Sequence, residues 1–260
     1  MKIISLNCNG LRSATEKGLL EFIEKISPEI VSLQEIKASE SQLDLNLWEK
    51  NGYMPYIYSA EKKGYSGTAI FTKHKPVIMS YGLTHPLYDS EARSILVSYN
   101  EFTLINTYFP SGTSGEERQK IKMEFLDFYY QKVLDWKKKY QKLILCGDFN
   151  IAHTKIDIHD PIRNAKNSGF LPEERTWLDK LFESGFVDTY RCANPNKTDE
   201  YSWWTYRSGA RKNNKGWRID YFVVTENIKS WVITSKIFTD IVLSDHAPLL
   251  LELEIPLSAR

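Results

Sequence analysis

The stretch LILCGDFN, residues 143–150, runs from four apolar residues through a glycine into a carboxylate and an amide. A short apolar run of this kind reads as a buried strand. Asp148 stands at its end, where an unpaired charge loses its hydration unless a partner or a cation compensates. The same construction recurs along the chain. SLQE ends an apolar run on Glu35, WRIDYF carries Asp220, SDHAP sets Asp245 and His246 ahead of a further run, and MKIISLN ends on Asn7. One such residue is ordinary. Five strand ends bearing acids and amides predict convergence on a single hard-cation site.

GDFN is a compact unit. Gly147 lets the chain turn, and Asn150 presents its amide to the same side as Asp148 if the segment stays extended. A carboxylate beside an amide can orient a water and hydrogen-bond a phosphate oxygen. Taken alone, the same residues are equally an Asx-turn that closes a strand. Mg²⁺ takes oxygen ligands, usually one or two carboxylates with water and substrate phosphate. Glu35 and Asp245 are the candidates to hold it, with Mn²⁺ as a possible substitute. His246 is the one histidine beside an acid at a strand start. His74, His85, His153 and His159 lie in polar, loop-like surroundings, and no HxH or HExxH pair supports zinc. Asp220, inside RIDYFVV, needs a partner, and pairing with His246 is expected because a carboxylate orients an imidazole and favours its cation.

A second signal is YSWWTYRSGARKNNKGWR, residues 201–218, with five basic residues, five large aromatics and no acid. Cations interleaved with rings suit nucleic acid, although an exposed basic loop flanked by core aromatics has the same composition. Beside a metal-phosphate site, such a loop makes nucleic acid the natural phosphodiester.

Composition sets the frame. With 260 residues and 42% hydrophobic content, the chain can bury a sizeable core. A formal net charge of +1 means that any basic surface is local. Three cysteines, Cys8, Cys146 and Cys192, form no disulfide framework or zinc spacing. A cytoplasmic protein is expected, since no charged and apolar leader precedes the first strand pattern and no run approaches membrane-spanning length.

Strand patterns occupy residues 1–8, 29–34, 67–72, 94–97, 103–108 and 142–147, and later 202–206, 218–224, 235–237 and 248–255. Helical patterns lie over 15–26, 116–140 and 172–184. In the second helix Ile121, Phe125, Phe128 and Leu134 recur at helical spacing. Long loops are expected over 152–171 and 206–216, and loops of that length are usually functional. One α+β or layered α/β domain over 1–260 follows.

The ordered motifs LNCNGLR, SLQEIK, KGYSGTAIF, NTYFPSG, CGDFNIAH, NSGFLPEER, VDTYR, SWWTYR, GWRIDYF and SDHAP span nearly the whole chain, and together they resemble the exonuclease III family of abasic-site endonucleases. The resemblance implies a four-layered αββα sandwich, two facing mixed sheets flanked by helices, with the active site at one end. It implies Mg²⁺-dependent incision of double-stranded DNA 5′ to abasic sites by a monomeric enzyme, with 3′-phosphatase, 3′-phosphodiesterase and 3′→5′ exonuclease activities. By motif position, Glu35 and Asp245 hold the metal with Asn7 and Asn9 nearby. Asp148 orients or deprotonates the attacking water, Asn150 and Asn7 position the phosphate and the water network, and Tyr108 contacts the phosphate or assists the leaving oxygen. Asp220 and His246 polarise it. Trp203, Trp217 and Ile219 wall the abasic-sugar pocket, Asn164 and Asn167 contact DNA, and Arg12, Lys37, Tyr65 and Arg93 meet the backbone. Relatives often carry an acid at Asn9 and a smaller residue at Arg163. Arg163 is therefore either a gate at the pocket mouth or a phosphate clamp. The alternatives are a specialised 3′-phosphatase or exonuclease of the same fold, and a DNA-binding module with a dead site. The intact catalytic positions argue against the dead site.

Overall fold

The computed structural model describes residues 1–256. The last four residues of the domain expected over 1–260 lie outside the described residues. Twelve strands are present among those described: β1 (Lys2–Asn7), β2 (Ile30–Gln34), β3 (Met54–Tyr58), β4 (Thr68–Thr72), β5 (Ile78–Tyr81), β6 (Ser94–Ser98), β7 (Thr103–Tyr108), β8 (Leu143–Asp148), β9 (Phe186–Asp188), β10 (Asp220–Thr225), β11 (Val232–Ile237) and β12 (Leu249–Leu253). The helices are α1 (Leu11–Glu16), α2 (Leu19–Ile26), α3 (Asn46–Glu49), α4 (Pro86–Ser90), α5 (Glu116–Tyr140), α6 (Pro172–Glu183) and α7 (Thr189–Ala193).

The strands form two six-stranded sheets, ordered β11-β12-β1-β2-β4-β3 and β5-β6-β7-β8-β10-β9. Each is mixed. β1 and β2 are parallel in the first sheet, β7 and β8 in the second, and the other pairs are antiparallel. The inner faces share one core that joins Ile3, Ile30, Ile70 and Leu251 to Val97, Leu104, Ile144 and Phe222. On the outer face of the first sheet, Ile4, Val31 and Phe71 pack with Leu19 and Ile23 of α2. On that of the second, Ile105, Leu145 and Val223 pack with Phe125 and Leu178 of α5 and α6. The result is the expected αββα sandwich. Its central strands are buried on both faces, which is why they read as apolar runs without alternation.

Some expected elements differ. The helix over 15–26 is two helices, because Gly18 adopts φ +96° and opens α2. Residues 202–206 form no strand: they make only isolated bridges, Trp203 to Trp217 and Trp203 to His246, and Tyr206 already has helical φ/ψ. Here the Ser202 hydroxyl, not a strand partner, accepts the Ile219 and Asp220 amides at 3.0 Å each. β3, β5 and β9 lacked a sequence signal. All three are edge strands, and β3 and β5 are only partly buried or exposed. A strand paired on one side needs no strong apolar pattern. Among the described residues, no helix is long and apolar enough to cross a membrane.

Candidate active site

The polar strand ends meet. β1, β2, β7 and β8 deliver Asn7, Glu35, Tyr108 and Asp148 at their C-terminal ends, and β10 and β12 begin beside them with Asp220 and the segment carrying Asp245 and His246. Asn7, Asn9, Glu35, Tyr108, Asp148, Asn150, Asp245 and His246 line one cavity of about 900 Å³, together with Lys37, Asn167, Trp203, Trp217 and Ile219. A somewhat larger concavity, about 1060 Å³, surrounds Met1, Glu29, Tyr99 and Trp231 at the other ends of β1 and β2. It shares none of the polar strand ends, so size does not identify the site.

Strand register creates the central electrostatic problem. Asp148 and Asp220 are direct partners across the antiparallel β8–β10 ladder, and like charges placed opposite repel. Both are buried. His246, also buried, resolves the conflict: Nδ1 lies 2.9 Å from Asp220 Oδ2 and Nε2 lies 3.9 Å from Asp148 Oδ2. Burial alone would lower the imidazole pKa. Asp220, through charge and hydrogen bond, with help from Asp148 and Asp245, outweighs it and pushes the pKa up to about 10. His246 is therefore an imidazolium. The Ser202 hydroxyl donates to the same Asp220 oxygen at 2.7 Å.

Asp148 is held through both carboxylate oxygens by directed hydrogen bonds. Asn7 Nδ2 donates to its Oδ2 at 2.9 Å, the Asn150 amide to Oδ1 at 2.8 Å and Asn150 Nδ2 to Oδ2 at 3.2 Å. Burial, then the Asp220 charge, raise its pKa to about 7 against the opposing pull of His246 and these donors. Gly147 makes the close strand approach possible, since a Cβ there would stand 2.0 Å from the Thr107 carbonyl oxygen. Asn9, Glu35, Lys37 and Asn150 all carry positive φ, between 44° and 56°. Such a cluster of non-glycine residues marks a backbone fitted to a site. Tyr108 keeps its phenol protonated well above the usual range, chiefly through burial and then the Glu35 charge.

The carboxylates expected to hold a metal share the cavity. Asn9 Nδ2 and Trp203 Nε1 reach the two oxygens of Asp245 at 2.8 and 3.1 Å, and Lys37 Nζ lies 3.1 Å from Glu35 Oε1 and 2.5 Å from Asn9 Oδ1. The donor set is all oxygen: two carboxylates with the Asn7 and Asn9 amides. That fits a hard divalent cation, and the Lys37 ammonium between Glu35 and Asn9 shows that positive charge is favoured there. A second candidate is the buried group Asp148, Asp220 and His246, which offers three ligand atoms within 4.8 Å of one another and could hold a metal ion. There the cationic imidazole would first have to lose its proton.

The expected sugar-pocket wall assembles as well. Trp203 and Trp217 pack edge to face at 6.0 Å beside buried Ile219, Ile158 and Phe170. Asn167 lines the cavity, but Asn164 turns inward, donating to the His159 and Asp160 carbonyls at 2.9 and 3.0 Å. Arg163 and Arg12 are exposed and outside the cavity lining. Tyr65 and Arg93 line an adjoining recess of about 400 Å³ that shares Tyr108. Arg93 is buried and committed to Glu91 at 2.6 Å and to the Tyr108 carbonyl at 2.9 Å.

The basic loop divides in function. Arg207 lines the cavity. Arg211 donates to the Ser244, Thr239 and Ile241 carbonyls, which fastens the loop to the segment before Asp245. Arg218 is fully buried between Asp157 at 2.6 Å and Asp188 at 2.7 Å. Ser202 escaped the sequence reading; its one signal was its place before the Trp pair.

Comparisons with known proteins agree with this geometry. The endonuclease/exonuclease/phosphatase family model matches residues 4–246. The chain is 39% identical over 251 residues to a DNA-(apurinic or apyrimidinic site) endonuclease of Dictyostelium discoideum, covering 96% of this chain and 69% of that protein. It is 39% identical over 256 residues to an exodeoxyribonuclease of Bacillus subtilis, covering 98% and 100%. A 3′ phosphatase from Neisseria, solved bound to a product DNA hairpin, superposes with a TM-score of 0.90 at 25% identity, covering 98% and 99%. The chain thus belongs to the endonuclease/exonuclease/phosphatase family, within its exonuclease III and AP endonuclease group of hydrolytic DNA-repair nucleases.

Proposed function

We propose that this protein is a Mg²⁺-dependent phosphodiesterase that incises double-stranded DNA 5′ to abasic sites and clears blocked 3′ ends, acting as a monomer of one domain. The carrying observation is the Asp148–Asp220 cross-strand pair with the His246 imidazolium beside both, opening on a cavity that also holds Glu35 and Asp245. Asp148, poised near neutrality, takes the proton of the attacking water, which Asn7 and Asn150 orient. His246, fixed by Asp220, donates to a non-bridging phosphate oxygen where charge develops. The P–O3′ bond breaks as the water oxygen bonds to phosphorus, and the Tyr108 phenol donates to the leaving 3′-oxygen. Glu35 and Asp245, with Asn7 and Asn9, would hold Mg²⁺ or Mn²⁺, which supplies Lewis-acid stabilisation of the phosphoryl oxygens. Trp203, Trp217 and Ile219 receive a sugar that has lost its base, the nucleotide cheapest to extrude. Asn167 and Lys37 face the strand from the cavity wall.

A second reading, 3′-end trimming with weak abasic incision, draws on the likeness to the Neisseria 3′ phosphatase and uses the same groups. One experiment separates the two: cleavage of a duplex with an internal abasic analogue against a nicked duplex with a 3′-phosphate, each with Mg²⁺ and with EDTA. Abasic incision at a rate comparable to 3′-phosphate removal supports the first reading. Removal of 3′-phosphate alone supports the second, and no cleavage of either rejects both.

A further inference from the structure

Lys122 occupies a core position. The buried residues of α5 are 122, 125, 126, 129, 130 and 133, and the other five are Phe125, Leu126, Tyr129, Tyr130 and Val133. The spacing i, i+3, i+4, i+7 belongs to the face that meets the sheet. A lysine there is fully buried, at 0% exposure, and burial pulls its pKa down against its carboxylate partner. Its ammonium has two partners. It lies 2.7 Å from Glu174 Oε1, and it donates to the Asn150 carbonyl oxygen at 2.8 Å.

Glu174 is equally buried, in the first turn of α6. Its Oε2 accepts the Gly169 amide at 2.6 Å and the Leu171 amide at 3.0 Å, while Oε1 accepts Gln119 Nε2 at 3.1 Å. Gly169 in turn touches the catalytic turn. A Cβ there, at φ +95°, would stand 2.9 Å from the Trp217 ring and 3.1 Å from the Asn150 carbonyl oxygen. The Ala152 amide donates to the Gly169 carbonyl at 2.7 Å. One buried ion pair therefore grips both the carbonyl of Asn150, whose φ is +54°, and the root of the loop whose residues Lys166–Gly169 line the cavity.

Stability does not account for this arrangement. Replacing a buried ion pair by apolar side chains of like volume is often neutral or stabilising. The pair does something an apolar pair cannot: it sets the position of a carbonyl and of two amides by directed bonds. We propose that Lys122 and Glu174 are positioning residues, which hold the Asp148–Asn150 turn in register with the substrate-facing loop and with Trp217. The proposal rests on the reading of Asp148 and Asn150 as catalytic.

The test uses the full chain and a nicked duplex bearing a 3′-phosphate. Single neutralisation leaves an unpaired buried charge, so the first variant is the double Lys122→Met/Glu174→Gln. Single-turnover rate should fall about 10²-fold, the loss expected of a displacement of about 1 Å, while DNA affinity in EDTA stays within about threefold, because phosphate contacts dominate it. Glu174→Asp keeps the charge but withdraws the carboxylate by one methylene, and in the folded protein its rate should fall about tenfold at unchanged affinity. Should the double variant not fold, Glu174→Asp alone decides. A wild-type rate in either folded variant, or a loss confined to affinity, overturns the proposal. Asp148→Asn in the parent chain is the control: if it leaves the rate intact, the catalytic reading fails, whatever the ion pair does.

Discussion

His246 places Nδ1 2.9 Å from Asp220 Oδ2, and this contact makes an acid facing an acid across β8 and β10 tolerable. The imidazolium is the shared counter-charge of the pair, and the same proton-bearing ring faces the cavity. If the two residues act as a unit, their losses are not additive. His246→Asn and Asp220→Asn should each lower the single-turnover rate by at least about 10²-fold, and the double variant should be little worse than the worse single. Full additivity in the cycle would show that they work separately.

Asp148 must be ionised to accept a proton, and its pKa is raised to about 7. The rate should therefore drop as pH falls through about 7 and level off above it. His246 lowers that pKa by its charge. In His246→Asn the residual rate should show its acidic limb shifted to higher pH. Asp148→Asn should cost about 10²–10⁴-fold in rate with modest change in DNA affinity. An acidic limb that persists unchanged in Asp148→Asn would assign the titration to another group.

Glu35→Gln keeps shape and removes one of the two carboxylates proposed to hold a cation. The Mg²⁺ concentration needed for half-maximal rate should rise at least about tenfold, while DNA binding in EDTA survives because phosphate contacts dominate affinity. Calorimetry with Mg²⁺ and no DNA gives an independent readout. Identical Mg²⁺ titrations for parent and variant exclude Glu35 as a ligand.

Arg163 is exposed, with its amide bonded to the Asp160 carboxylate at 3.1 Å, and lies outside the cavity lining. This placement favours the phosphate clamp over the gate. Arg163→Gly should lower abasic incision and 3′-phosphate removal together, and reduce the salt slope of binding by about one. Increased abasic incision relative to 3′-phosphate removal would restore the gate.

Asp157 is buried between Arg218 Nε at 2.6 Å and Arg191 Nη2 at 2.5 Å. Burial works against its charge, but the two guanidiniums outweigh it and hold its carboxyl well below the usual range. A lowered folded pKa stabilises above the unfolded value near 3.9 and fades as pH falls below it. Asp157→Asn should cost about 3 kcal/mol at pH 7 in urea unfolding, and the gap from the parent should begin to narrow below roughly pH 5 and go on narrowing as pH falls past about 3. A gap independent of pH would deny the carboxylate this role.

How much was legible in the sequence follows from where each residue sits. The doubly buried strands announced themselves as apolar runs, and a polar residue at the end of such a run stands out because its desolvation must be compensated. Asn7, Glu35, Asp148, Asp220, Asp245 and His246 were therefore readable as one set, whereas the wall residues Trp203, Trp217 and Ile219 came only from the resemblance of their motifs. The edge strands β3, β5 and β9 were not, because pairing on one side relaxes the pattern. Register was not readable either. Only the antiparallel pairing of β8 with β10 sets Asp148 opposite Asp220 and gives His246 its charge. Composition could not divide the basic loop, where Arg207 faces the cavity while Arg211 and Arg218 are spent on carbonyls and buried acids. Nor did helical periodicity, which picked out Ile121, Phe125, Phe128 and Leu134 in α5, show that Lys122 is buried beside Phe125 and reaches Asn150. Local sequence determined which residues resist burial; the tertiary fold decided which of them meet, because partners 26 to 236 residues apart are joined only by strand order and register.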